Sequence, residues 1–125
     1  MQWSISENKV GAGILIRTLR HVNNSIGEEP KVGDIVIVHC ETSLEDGPLV
    51  DSTRKRKQPL EFQVGAGDVI KGLEVAVQRM QVGQLVEVTV PHIYAYGTRG
   101  RMPEIPSEAT IVLKVELLEI IPQKS

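Results

Sequence analysis

Only one stretch of this chain carries helical periodicity. Val69, Leu73, Ala76, Val77 and Met80 recur at the three-and-four spacing that gathers apolar side chains on one helix face. Gly65-Ala66-Gly67-Asp68 ahead of them offers a cap, and Val82-Gly83 beyond Gln81 offers a stop. The other apolar runs alternate instead. Ile35 to Thr42 places Val36, Val38 and Cys40 on one face and Ile35, Ile37 and His39 on the other, and Leu60, Phe62 and Val64 alternate with Glu61 and Gln63. Ile111, Leu113, Val115 and Leu117 face away from Lys114 and Glu116 within the stretch from Ala109 to Leu118. Gly13 to Leu19, Leu49 to Asp51 and Leu85 to Val90 add further strands, and Leu44-Glu45-Asp46-Gly47-Pro48 reads as a hairpin turn. One short helix among strands predicts an α+β fold: an antiparallel sheet of about five strands curled around one short α-helix.

A chain of 125 residues, 41% of them apolar, has the material for a single core. Residues 13–121 are expected to form it, with a flexible extension at 1–12, a tail at 122–125, and Trp3 free to pack on the domain. A net charge of -2 and a pI near 5.9 exclude a global drive toward nucleic acid or anionic membrane. No apolar run reaches the roughly 20 residues of a membrane span, and no apolar h-region follows a basic start. The chain therefore reads as soluble, unexported and cytoplasmic. The basic run Arg54-Lys55-Arg56-Lys57 keeps the nucleus as an alternative, although a solvated loop closed by Pro59 explains the run more simply.

A lone cysteine, Cys40, excludes an internal disulfide and fits a reducing compartment. His39 points to the opposite side of its strand, so the two cannot form a thiolate-imidazole dyad, and Cys40 reads as a small core residue. His21, His39 and His92 fall on separate elements without metal-ligand spacing, Glu45, Asp46 and Asp51 lack calcium-loop spacing, and no glycine pattern marks a phosphate cradle. No metal or cofactor is expected. Asn23-Asn24-Ser25 reads as a turn. Aromatic residues make up only 3% of the chain, namely Trp3, Phe62, Tyr94 and Tyr96, so any pocket must be walled mostly by aliphatic side chains.

The segment most suggestive of function runs from Tyr94-Ala95-Tyr96-Gly97 through Gly100 to Ile105-Pro106. In an extended chain the two tyrosines share a face, which lets one ring fill a core while the other brings a donor hydroxyl to a cavity edge.

Pro30-Lys31-Val32-Gly33, Val38-His39, Leu44-Glu45-Asp46-Gly47, Asp51-Ser52, Val69-Ile70-Lys71-Gly72, Met80-Gln81-Val82-Gly83-Gln84, Tyr94-Ala95-Tyr96-Gly97, Ile105-Pro106 and Val115-Glu116-Leu117-Leu118 together resemble the FK506-binding family of peptidyl-prolyl isomerases. The resemblance is collinear from about Gly13 to Ile120. It implies a prolyl pocket between sheet and helix, with Asp51, Tyr96 and the Ile70 amide as the catalytic groups. Around the substrate it implies Cys40, Val50, Arg56, Leu60, Phe62, Val69, Leu73, Arg101, Ile105 and Leu113, with Arg56 partnering Asp51. It further implies proline-containing peptides or proteins as substrates, weakly bound FK506-like macrolides as ligands, and a monomer.

The sequence departs from the family pattern in its lining. Cys40 stands where a tyrosine is usual, Val50, Leu60 and Leu113 where phenylalanines are, and Leu73 where an aromatic floor is; Arg101 and Glu104 add charge at the rim. The pocket is expected to be wider, softer and more polar at its edge, with weakened activity. Val50, Leu73 and Leu113, together with Thr42-Ser43-Leu44-Glu45 and Gly100-Arg101-Met102-Pro103, look most like the tetratricopeptide-bearing, membrane-anchored branch, which implies a chaperone role and a partner in cell-death control, although this chain shows neither helical repeats nor an anchor. The alternative is a non-catalytic binding or co-chaperone module that uses the same groove and the 99–104 loop.

Overall fold

The computed structural model describes residues 7–9, 13–22 and 27–123. Trp3, Asn23-Asn24-Ser25, the end of the expected tail and most of the expected N-terminal extension lie outside the described residues.

Seven antiparallel strands form one sheet: β1 (Glu7–Lys9), β2 (Leu15–Arg20), β3 (Ile35–Leu44), β4 (Leu49–Ser52), β5 (Leu60–Gln63), β6 (Leu85–Val90) and β7 (Ile111–Ile121). Their spatial order is β1-β2-β6-β7-β3-β4, and β5 also pairs with β3. The expected count of about five is thus exceeded. Part of the excess is β1, which pairs with β2 inside the segment read as an extension. The long β3 serves β5 with Ile35 to Val38 and β4 with Glu41 to Ser43 along the same edge, so both short strands read from the sequence join one sheet. At the β3–β4 turn Asp46 takes a left-handed φ of 54°, and the Gly47 N–H donates to Leu44 O at 3.0 Å, as Asp-Gly hairpins favour.

Alternation along the strands decides which face is buried. Val36, Val38, Val88, Val90, Val115 and Leu117 all lie on the inner face at 0–2% exposure, and each such side chain contributes about 1.5–3 kcal/mol by leaving water. Against that face lies α2 (Lys71–Val77), offering Leu73, Ala76 and Val77. The close approach depends on Gly72, where an added Cβ would stand 2.5 Å from a Val90 methyl. Three expectations about helices change. The α2 N-cap is Ile70, without a side-chain cap; the helix ends at Val77, and single turns through Arg79 and Met80 carry the apolar stripe onward. The basic run is not a loop, since Thr53–Arg56 forms one helical turn, α1.

Glu74 explains how α2 begins without its own cap. Its carboxylate, 6% exposed, accepts from the Gly65 N–H at 2.8 Å and the Gly67 N–H at 3.4 Å, tying the helix to the loop that delivers Val69 and Ile70. Among the described residues no helix is long and apolar enough to cross a membrane.

Candidate functional site

A cavity of about 190 Å³ opens between the inner face of the sheet and the start of α2. Strands β3, β5 and β7 line it with Cys40 and Thr42, Leu60, and Leu113. The approach to α2 and the helix itself add Asp68, Val69, Ile70 and Leu73, and the β4–α1 junction adds Asp51, Thr53 and Arg56. Tyr96 completes the wall.

Nine of the thirteen residues expected at the site meet here: Asp51, Tyr96, Ile70, Cys40, Arg56, Leu60, Val69, Leu73 and Leu113. Four do not line it. Val50 borders a shallow groove beside Asp51 and Arg56. Phe62 and Ile105 are core residues, 4% and 0% exposed, and Arg101 is exposed above the ring of Tyr96. Three lining residues were missed. Thr42 continues the alternation of Val36, Val38 and Cys40, a signal already present in the sequence. Thr53 follows Ser52, whose hydroxyl accepts from the Lys55 N–H at 3.2 Å and caps α1, so Ser-Thr before the basic run was a readable start signal. Asp68, read as a helix cap, instead accepts from the Gln63 N–H at 3.4 Å.

The cavity is small. Pockets for drug-sized ligands span about 300–1,000 Å³, whereas this hollow of about 190 Å³ has room for a single ring. Leu73 and Leu113, which line it, are themselves core residues at 4% and 2% exposure.

Polar groups converge on this aliphatic hollow. Arg56 donates to the Asp51 carboxylate, and the Ser52 N–H donates to the same oxygen at 3.0 Å. Asp51 and Tyr96 do not bond one another, and the Tyr96 hydroxyl has no hydrogen-bond partner among the described residues. The Ile70 carbonyl accepts from the Leu73 and Glu74 N–H groups at 3.1 and 3.3 Å, whereas its own N–H has no backbone partner among the described residues, as a first helical turn allows.

Tyr96 is not in extended chain, so the face-sharing argument for the tyrosine pair does not apply. His92–Tyr94 forms a 3-10 turn, and the chain then turns again, leaving both rings half-buried. The Gly97 N–H donates to His92 O at 2.7 Å and the Gly100 N–H to Tyr96 O at 2.9 Å, which fixes the backbone on both sides of the phenol. Gly100 cannot be replaced cheaply, since its φ is +67° and an added Cβ would lie 2.6 Å from Ile105 O.

Thr53 organises the opposite wall. Its hydroxyl accepts from the Cys40 N–H at 2.8 Å, donates to Cys40 O at 3.3 Å, and lies 2.9 Å from His39 Nδ1. Burial pushes the Cys40 thiol up to about 12, against the opposing effect of a Thr42 hydrogen bond, so it stays protonated and unreactive near neutral pH. On the outer face Glu116 accepts from Arg20 at 2.6 Å and from Arg54. Burial raises the carboxyl of Glu116, but these two arginines outweigh it and hold it below the usual carboxylate range. Arg54 and Arg56 of the basic run are thus engaged in ion pairs. Among the described residues no group of three or more His, Cys, Asp or Glu side chains could hold a metal ion.

The model of the family described as FKBP-type peptidyl-prolyl cis-trans isomerase matches residues 27–118. FK506-binding protein 1 of Kluyveromyces lactis is 44% identical over 91 residues, covering 73% of this chain and 80% of that protein. Its namesake in Dictyostelium discoideum is 45% identical over 92 residues, covering 74% and 86%. Human peptidyl-prolyl cis-trans isomerase FKBP4 is 44% identical over 92 residues, which are 74% of this chain and 20% of that protein. Among solved structures, FkpA from Escherichia coli superposes with a TM-score of 0.81 at 30% identity, over 93% of this chain and 52% of that one.

Proposed function

We propose that this chain, which belongs to the FKBP-type peptidyl-prolyl cis-trans isomerase family, turns X-Pro bonds by admitting the prolyl ring to the cavity beside Tyr96. The observation that carries this reading is the placement of a phenol and an Ile70 amide, both without a hydrogen-bond partner among the described residues, and a paired Asp51 carboxylate around one aliphatic hollow.

The reaction needs no nucleophile. Rotation about the peptide bond meets a barrier of about 18–20 kcal/mol, most of it lost resonance. The twisted amide is less polar than the planar one, so an apolar cavity favours it differentially. Leu60, Val69, Leu73 and Leu113 supply that environment in this proposal. The Ile70 N–H and the Tyr96 hydroxyl hold the substrate backbone, and Asp51 with Arg56 faces its polar atoms. Replacement of the usual rings supports weakened turnover and weak macrolide binding, at about 1–2 kcal/mol for each lost aromatic contact. Place beside the tetratricopeptide-bearing, membrane-anchored branch rests on the sequence resemblance at Val50, Leu73, Leu113, Thr42-Ser43-Leu44-Glu45 and Gly100-Arg101-Met102-Pro103, and the relatives named above lend it nothing.

A proline-peptide exchange assay tests the reading. Turnover that falls on Asp51→Val supports it; rates equal to the uncatalysed exchange contradict it. A second reading, a binding module without turnover, is favoured by one observation: Met102 and Ile93 are 69% and 63% exposed on the segments flanking Tyr96. Under that reading a proline-rich ligand binds while its exchange rate stays unchanged.

A further inference from the structure

We propose that Arg101 makes the mouth of this cavity selective for prolyl peptides that carry an acidic side chain next to the proline. The proposal rests on the isomerase reading and adds the substrate class.

Arg101 combines a fixed backbone with an uncommitted charge. Its N–H donates to Ile105 O at 2.7 Å, and its carbonyl accepts from the Ile105 N–H at 2.9 Å. Ile105 is fully buried, so this two-bond bridge anchors the loop to the core. The guanidinium lies 5.9 Å from the ring centroid of Tyr96, within cation–π range of the phenol that borders the cavity. A charge so held loses little further freedom when it meets a partner.

Four other arginines are already engaged, Arg17 with Glu87, Arg20 and Arg54 with Glu116, and Arg56 with Asp51, whereas Arg79 and Arg99 form no ion pair with a described carboxylate but do not sit over the Tyr96 ring as Arg101 does. Arg101 forms no ion pair with any described carboxylate, including Glu104 of its own loop. Arg56 also lines the cavity, but its charge is answered by Asp51. Of the arginines without a described carboxylate partner, Arg101 is the one seated over the Tyr96 ring.

The other side of the mouth carries the opposite sign. Asp68 lines the cavity ahead of α2 and is exposed. A peptide whose ring enters the hollow thus passes a cation on the Tyr96 side and a carboxylate on the α2 side. An acidic neighbour on the first side is attracted, whereas a basic one is repelled.

The experiment compares kcat/KM for short peptides bearing Glu, Gln or Lys immediately before or immediately after proline, at low and high salt. At the favoured position Glu is expected to exceed Lys by about five-fold, the size of one exposed ion pair, and the ratio shrinks as salt screens it. Arg101→Gln brings the ratio to about one, and Arg101→Glu inverts it. Equal rates for Glu and Lys at both positions, with an Ala-Leu-Pro-Phe peptide still turned over, overturn the proposal and leave the isomerase reading standing. A Glu preference that survives Arg101→Gln also overturns it. If no peptide is turned over, both fall.

Discussion

Arg56 donates to the carboxylate of Asp51 across the single turn of α1, at the edge of the cavity. The two side chains are 50% and 32% exposed, so the pair belongs to the half-solvated kind whose contribution to folding is about 0.2–1 kcal/mol. In the proposed mechanism the pair serves to aim the carboxylate.

Arg56→Ala is therefore expected to separate function from stability. Urea denaturation should show a loss below about 1 kcal/mol, while kcat/KM for an X-Pro peptide falls about ten-fold, the effect of one lost charge-assisted contact near the reacting amide. A stability loss with unchanged turnover would assign the pair to the fold alone.

The floor of the cavity gives a second prediction. Leu73→Trp places a ring against the 190 Å³ hollow and should tighten FK506-type macrolide binding about ten-fold, as measured by fluorescence titration. Leu113→Ala enlarges the hollow from a side chain that is 2% exposed, and should cost about 2–5 kcal/mol in denaturant unfolding. Unchanged macrolide affinity in Leu73→Trp would mean that ligands do not meet this wall.

The alternating strands were legible in the sequence because burial on one face leaves a period of two, and Val36-Val38-Cys40 and Ile111-Leu113-Val115-Leu117 kept it without interruption. The start of α2 was not, because Asp68 resembles a cap while the actual restraint is Glu74 reaching back to Gly65 and Gly67 from within the helix. The family resemblance points to Tyr96 as the cavity residue, whereas the extended-chain argument for the tyrosine pair does not hold: the position of Tyr96 follows from the turns after His92. The small volume was also hidden, since a list of replaced aromatics says nothing of how closely Leu73 and Leu113 are packed.

Cys40 predicts a pH dependence at the alkaline end. Its thiol ionises near 9.0 when unfolded and at about 12 in the folded chain, chiefly because of burial. The folded state therefore favours the protonated thiol. Its stabilising effect is complete below 9.0 and is lost as pH rises toward about 12, at up to about 1.4 kcal/mol per pH unit. Urea midpoints of wild type and Cys40→Ala measured across that window should converge as pH rises, and iodoacetamide should label wild type at pH 8 only after unfolding. Rapid labelling of the native chain would contradict the buried thiol.

The most direct measurement is NMR exchange between the cis and trans forms of a Leu-Pro peptide with catalytic amounts of wild type and of Tyr96→Phe, each checked by thermal unfolding. The hydroxyl has no partner among the described residues, so its removal should shift folding stability by less than about 0.5 kcal/mol. Wild type should accelerate exchange, and Tyr96→Phe should lower that acceleration about five- to ten-fold, the effect of one hydrogen bond of about 1–1.5 kcal/mol. Equal acceleration by both proteins, or none by wild type, would contradict a cavity that turns proline beside this phenol.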